Sequence, residues 1–158
     1  MDMLPSSGAS FVRDRICFVW PATGAMHVTP LPRGGCTVKF SFGERAIVRS
    51  IGPGRIVKAH DIPTRRIAHQ HEISIQHDGD FESRYSIVDQ TPHDLASAQL
   101  TRRLAGISVE AGQTLYEIMN GGSLHFQLLR AGVLVDPRIY MQPDFDDESG
   151  QLGRLVER

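Results

Sequence analysis

Leu124-His125-Phe126-Gln127-Leu128-Leu129-Arg130-Ala131-Gly132-Val133-Leu134-Val135 places two apolar runs on either side of an Ala-Gly pair. Such a pair lets the chain reverse between antiparallel strands, so the stretch predicts a hairpin. Upstream, Glu72-Ile73-Ser74-Ile75-Gln76-His77 alternates apolar with polar residues. A period of two puts Ile73 and Ile75 on one buried face of a strand. Elsewhere short apolar runs are punctuated by Gly and Pro, the cadence of antiparallel β-structure. The predicted strands are Ile16–Trp20, Thr37–Phe42, Ala46–Ser50, Gly54–Ala59, Glu72–His77, Ser83–Val88, Thr114–Met119, Leu124–Arg130 and Val133–Val135.

One segment departs from this cadence. Thr91-Pro92-His93-Asp94 leads into LASAQLTRRLAG with an N-cap Thr, a first-turn Pro and Asp, and Arg102, Arg103 and Gly106 at the far end. These are start and stop signals of a helix, predicted near 92–105 as an insertion beside the β-structure. The expected organisation is a flexible leader over 1–15, a single domain over 16–142, and an acidic tail over 143–158 that carries Asp144, Asp146, Asp147 and Glu148.

Composition excludes several classes. The 158 residues are one ordinary domain's worth of chain. With 17 Lys+Arg against 18 Asp+Glu, the net charge is −1, which lacks the basic footprint of a general nucleic-acid binder. Two cysteines, Cys17 and Cys36, cannot build a disulfide framework. A secretory signal needs an apolar run of about 7–15 residues and a membrane span about 20. The run Ile16 to Trp20 satisfies neither, so the expectation is no signal peptide and no membrane span. A cytoplasmic location, or carriage within a larger particle or secretion apparatus, follows from that expectation.

Three stretches together resemble the lysostaphin-type zinc endopeptidases, which cut peptide cross-links in bacterial cell walls. Phe18-Val19-Trp20-Pro21-Ala22 with Gly24 resembles the family's opening strand and turn. Val48 through Gly54-Arg55-Ile56-Val57, then Ile73 to Gly79 and Arg84-Tyr85, resembles its central sheet. Val109 to Leu115, Leu124-His125-Phe126-Gln127, Gly132, Val135-Asp136-Pro137 and Tyr140 resemble the closing half. The similarity runs from about Phe18 to Tyr140 and implies a mainly β fold, an antiparallel sandwich of the barrel-sandwich hybrid kind with a groove across one sheet.

The resemblance also says which side chains the chemistry would need. Active relatives hold zinc with a His-x-x-x-Asp pair and the second His of a His-x-His strand, leaving an open position for water. Alignment on Val48 and Gly54 puts Gly35 and Lys39 where the His and Asp belong. Between His27 and His60 there is neither His nor Asp, so no local shift restores the pair. The His-x-His strand reads Ser123-Leu124-His125, and the family His that follows the tyrosine by two is Ile87, after Tyr85. Of these positions only His125 keeps its family identity. An ammonium at Lys39 repels a divalent cation.

The expectation is therefore a domain without catalytic residues, metal or cofactor, a pseudoenzyme acting as a protein-binding or assembly module. Its context would be regulation of a cell-wall hydrolase, or a part of a phage tail or secretion machine. Its partner would be a protein, such as a hydrolase or assembly component, with peptidoglycan as a further surface. Groove or partner contacts are expected from Tyr85, Arg65, Arg66, Arg102 and Arg103. The alternative is an active wall peptidase with a non-standard metal site drawn from His69, His71, His125 and Cys36. Val109 to Leu115 also looks like the hairpin of lipoyl and biotinyl carriers. Those domains need a lysine in an exposed turn, and neither Lys39 nor Lys58 sits in one.

Overall fold

The computed structural model describes residues 17–30, 37–62, 69–90 and 105–142. Nine strands fall within them: β1 Ala22–Pro30, β2 Thr37–Arg49, β3 Gly54–Ile62, β4 His69–Gln76, β5 Phe81–Asp89, β6 Ser108–Val109, β7 Thr114–Ile118, β8 Gly122–Arg130 and β9 Val133–Val135. They form one curled antiparallel sheet in the order β1-β2-β8-β5-β4-β3-β6, with β9 on β8 and β7 on β2. The protein is thus mainly β, as the alternating pattern predicts. The leader, the acidic tail and the helix expected near 92–105 lie outside the described residues, apart from Ala105, which is in a turn. Among the described residues no helix is long and apolar enough to cross a membrane.

Period-two patterning fixes one face of the sheet as the core. Phe40, Phe81, Tyr85, Phe126, Ile73, Ile75, Ile87, Leu124 and Leu128 are fully buried there. Each such side chain contributes about 1.5–3 kcal/mol relative to exposure. The runs Thr37–Phe42 and Ala46–Ser50, read separately in the sequence, are two halves of the long strand β2. Exposed Gly43-Glu44-Arg45 bulges out between them. Beyond the bulge β2 changes partner. Its first half pairs with β8 and its second with β7, joined across the short Met119–Gly121 turn.

Two sequence expectations are corrected. Ile16–Trp20 does not supply a strand: within its described part, only Phe18 makes a bridge, to Met141. Phe18 N–H donates to the Tyr140 carbonyl at 2.7 Å, and Trp20 Nε1 donates to the Gln142 carbonyl at 3.2 Å. Pro21, which lacks an N–H, ends that segment before β1. Conversely, Ala22–Pro30 is a nine-residue strand that its small, Gly-containing sequence conceals.

The hairpin signal at Ala131-Gly132 is accurate. Arg130 pairs with Val133, and both turn residues have positive φ, 52° and 81°. Those values are the ones a two-residue primed turn needs. After β9, Asp136 caps a 3-10 turn over Pro137–Ile139 by accepting the Arg138 N–H at 3.0 Å. The Arg138 guanidinium also pairs with this carboxylate at 2.9 Å and holds the acid below its usual range. Tyr140 then packs edge-on against Phe81, with ring centroids 5.0 Å apart.

Candidate functional site

The face opposite the core carries polar side chains in registered rows. One row crosses five strands: Lys39 on β2, His125 on β8, Ser86 on β5, Glu72 on β4 and His60 on β3. The next row holds Thr37, Gln127, Arg84, Ser74 and Lys58. Lys58 reaches this face because of a bulge at Val57. Ile56 opposes Ile75 on the core side and Lys58 opposes Ser74 on the groove side, so the extra residue resets the alternation. Most of these groups line a cavity of about 710 Å³.

Hydrogen bonds tie parts of this surface together. Gln127 Nε2 donates to Thr37 Oγ1 at 3.0 Å, Gln70 Nε2 donates to Ser86 Oγ at 3.3 Å, and Arg84 Nε donates to Glu82 at 2.9 Å. His60 Nε2 lies 3.6 Å from Glu72 Oε1. Partial burial, and then the positive charge of Lys39, hold the His125 imidazole below its ordinary pKa. His125 is therefore a neutral ring near neutral pH, with one N–H to donate and one lone pair to offer.

The expected site residues separate by face. Lys39, Ser123 and His125 share the groove face: Lys39 directly opposes His125, and Ser123 precedes it by two along β8. Ile87 belongs to the opposite, core face, and Tyr85, although among the residues that line the cavity, is buried with it. In β5, Phe81, Ser83, Tyr85, Ile87 and Asp89 form the buried set, while Glu82, Arg84 and Ser86 face the groove. The Tyr85 hydroxyl accepts the Ile51 N–H at 3.1 Å inside the core, and burial raises its pKa above the ordinary phenol value. That alternation was available in the sequence, where Arg84 and Ser86 flank Tyr85. Gly35, Cys36, Arg65, Arg66, Arg102 and Arg103 lie outside the described residues.

Two members of the alternative metal set, His71 and His125, fall on opposite faces of the sheet. His71 opposes Ile87 and sits on the core face, whereas His125 opposes Ser86 on the groove face. The buried His71 ring is engaged there. Its Nδ1 is 2.5 Å from Asp61 Oδ1, and its plane lies against Tyr116 with centroids 4.6 Å apart. Tyr116 in turn donates its hydroxyl to Asp89 Oδ2 at 2.5 Å. His69 opens β4, opposite Asp89. Among the described residues no three His, Cys, Asp or Glu side chains converge as a metal site. On the groove face His125 is flanked in its row by the ammonium of Lys39 and the hydroxyl of Ser86, while His60 and Glu72 stand together further along the row. Cys17 is exposed and unbonded.

His77, the other buried histidine, is bonded through both ring nitrogens. Its Nδ1 donates to the Pro53 carbonyl at 2.7 Å, and Nε2 accepts from Ser83 Oγ at 2.8 Å. Burial keeps its pKa below the ordinary value. Gly54 is the small residue this packing requires, because a Cβ there would lie 2.5 Å from the Gln76 carbonyl oxygen.

No family model matches the chain, and no curated protein matches it.

Proposed function

We propose that this chain is a catalytically inactive domain of lysostaphin-type peptidase fold, used as a binding or assembly module. The observation that carries the reading is the pairing of Lys39 with His125. The resemblance assigns those two positions to a zinc-binding Asp and His, and side chains that share a metal must lie side by side. Lys39 and His125 are direct cross-strand partners on the groove face. A lysine in that place repels the cation that the carboxylate would hold, which supports a groove that binds no metal. With Ser123 where the resemblance puts the helper histidine, the family's general base is missing from that position.

What remains is a concave polar surface on a rigid sheet, suited to holding an extended chain without cutting it. Binding would serve regulation of a wall hydrolase or assembly of a phage tail or secretion machine, with a protein as partner and peptidoglycan as a further surface. Cosedimentation of the purified chain with insoluble cell wall, scored beside release of soluble wall peptides, tests this. The expected result is saturable association, to wall or to a co-purified hydrolase, with no peptide release. Chelator-sensitive release would overturn the reading.

A further inference from the structure

We propose that the groove is a receptor for the C-terminal carboxylate of a short extended peptide, with Lys39 as its anion-binding group and His125 as the neutral donor beside it. This rests on the reading of the groove as a site that binds without cleaving.

Lys39 is half-buried, and among the described residues no carboxylate pairs with it. The nearest groove cation, Arg84, is held by Glu82, and Lys58, likewise without a carboxylate pair among the described residues, lies four strands away. A partly desolvated ammonium without a counter-ion is electrostatically incomplete, and an incoming anion completes it. The first carboxylate along the same row is Glu72, three strands away on β4. At about 4.8 Å per strand the separation is about 14 Å. The row thus runs from the ammonium of Lys39, past His125 and Ser86, to the carboxylate of Glu72, with His60 beyond it.

A free peptide has the complementary polarity. Four residues in extended form span at most about 13–14 Å, so a tetrapeptide with its carboxylate at Lys39 brings its amino end to Glu72. The cavity of about 710 Å³, lined by His125, Ser86 and Glu72 of this row with Lys39 directly across from His125, accommodates a ligand of that class. His125 contributes a ring N–H without a second charge, since burial and Lys39 both disfavour its imidazolium. One cation and one neutral donor suit a monoanionic carboxylate. A phosphate dianion would need a second free cation at that end, where Arg84 is already paired with Glu82.

The test is a set of binding titrations of the full chain, followed by NMR or calorimetry. The probes are tetra-alanine as the free acid, tetra-alanine amide, N-acetyl-tetra-alanine, and an N-acetylated, C-amidated tetrapeptide with one internal aspartate. The free acid should bind roughly 10- to 100-fold tighter than the amide, the range of a charge-assisted hydrogen bond. Acetylation should weaken binding by a smaller factor through loss of the Glu72 contact. Lys39→Gln should abolish the acid–amide difference and Lys39→Arg should keep it. Equal binding of acid and amide, no binding of the acid, or a preference that survives Lys39→Gln would overturn the proposal. So would the internal aspartate binding as tightly as the free acid, because the site would then read a side chain. Zinc content and wall cleavage, which test the inactive reading, play no part in this titration, so the two can fail separately.

Discussion

Lys39 and His125 oppose each other across β2 and β8, a cation beside a neutral imidazole on the half-exposed face of the sheet. The positive charge disfavours protonation of the ring, so the pair has a measurable signature. Lys39→Gln should raise the His125 pKa, and Lys39→Asp should raise it further by placing a carboxylate across the strand. An NMR pH titration of the His125 ring protons reads both shifts. A pKa unmoved by either substitution would separate the two side chains.

His77 gives a prediction about pH and stability. Burial lowers its folded pKa, so the native state prefers the neutral ring, which donates to Pro53 and accepts from Ser83. The unfolded chain protonates at the ordinary value of about 6.5. Below that pH the unfolded state binds the extra proton, and stability falls until pH passes the lower folded value. Stability is therefore full above about pH 7 and declines on acidification. His77→Gln should cost about 1–3 kcal/mol at pH 8 and flatten the decline between about pH 7 and 5. Urea denaturation across that range, wild type against variant, checks both. An unchanged slope would place the pH dependence elsewhere.

Tyr85 separates core from groove. Tyr85→Phe removes the acceptor of the buried Ile51 N–H, at a cost of about 1–3 kcal/mol. Because the hydroxyl is bonded inside the core rather than in the groove, affinity for groove ligands should stay as in wild type. Denaturation and binding measured on the same variant decide it, and weakened binding at full stability would return Tyr85 to the groove.

The close approach at Gly54 is a packing test. Gly54→Ala sets a Cβ 2.5 Å from a backbone oxygen and 2.9 Å from the His77 ring and Ile75. Something in the β3–β4 pair must shift, at a cost of about 1–3 kcal/mol. Gly43→Ala, with nothing within 4 Å, is the matched control and should stay within about 0.5 kcal/mol of wild type. Comparable thermal stability of the two variants would contradict the observed packing.

Where alternation was strong, the fold was legible from residues alone. Ile73 and Ile75 are buried as their spacing predicts, and Ala131-Gly132 turns the chain where the hairpin was expected. Legibility failed where tertiary pairing replaced local pattern. Phe18 and Trp20 are apolar because they seal the core beside Met141, not because they continue a strand. Ala22–Pro30 is extended through pairing with β2, with little alternation of its own. Among the site residues, Lys39, Ser123 and His125 fall on one face, whereas Tyr85 and Ile87 fall on the other. Motif spacing aligned those two with the family, while the polar residues between them, Arg84 and Ser86, pointed the opposite way. The pairing of Lys39 with His125 needs the β2–β8 register, which joins residues 86 positions apart and is invisible to local pattern.

The proposed function rests on a groove that holds no metal. Elemental analysis of protein purified without chelator, then dialysed against excess zinc and back into buffer, tests it most directly. The account predicts no stoichiometric zinc. One zinc retained per chain, released by chelator together with wall-cleaving activity, would contradict it.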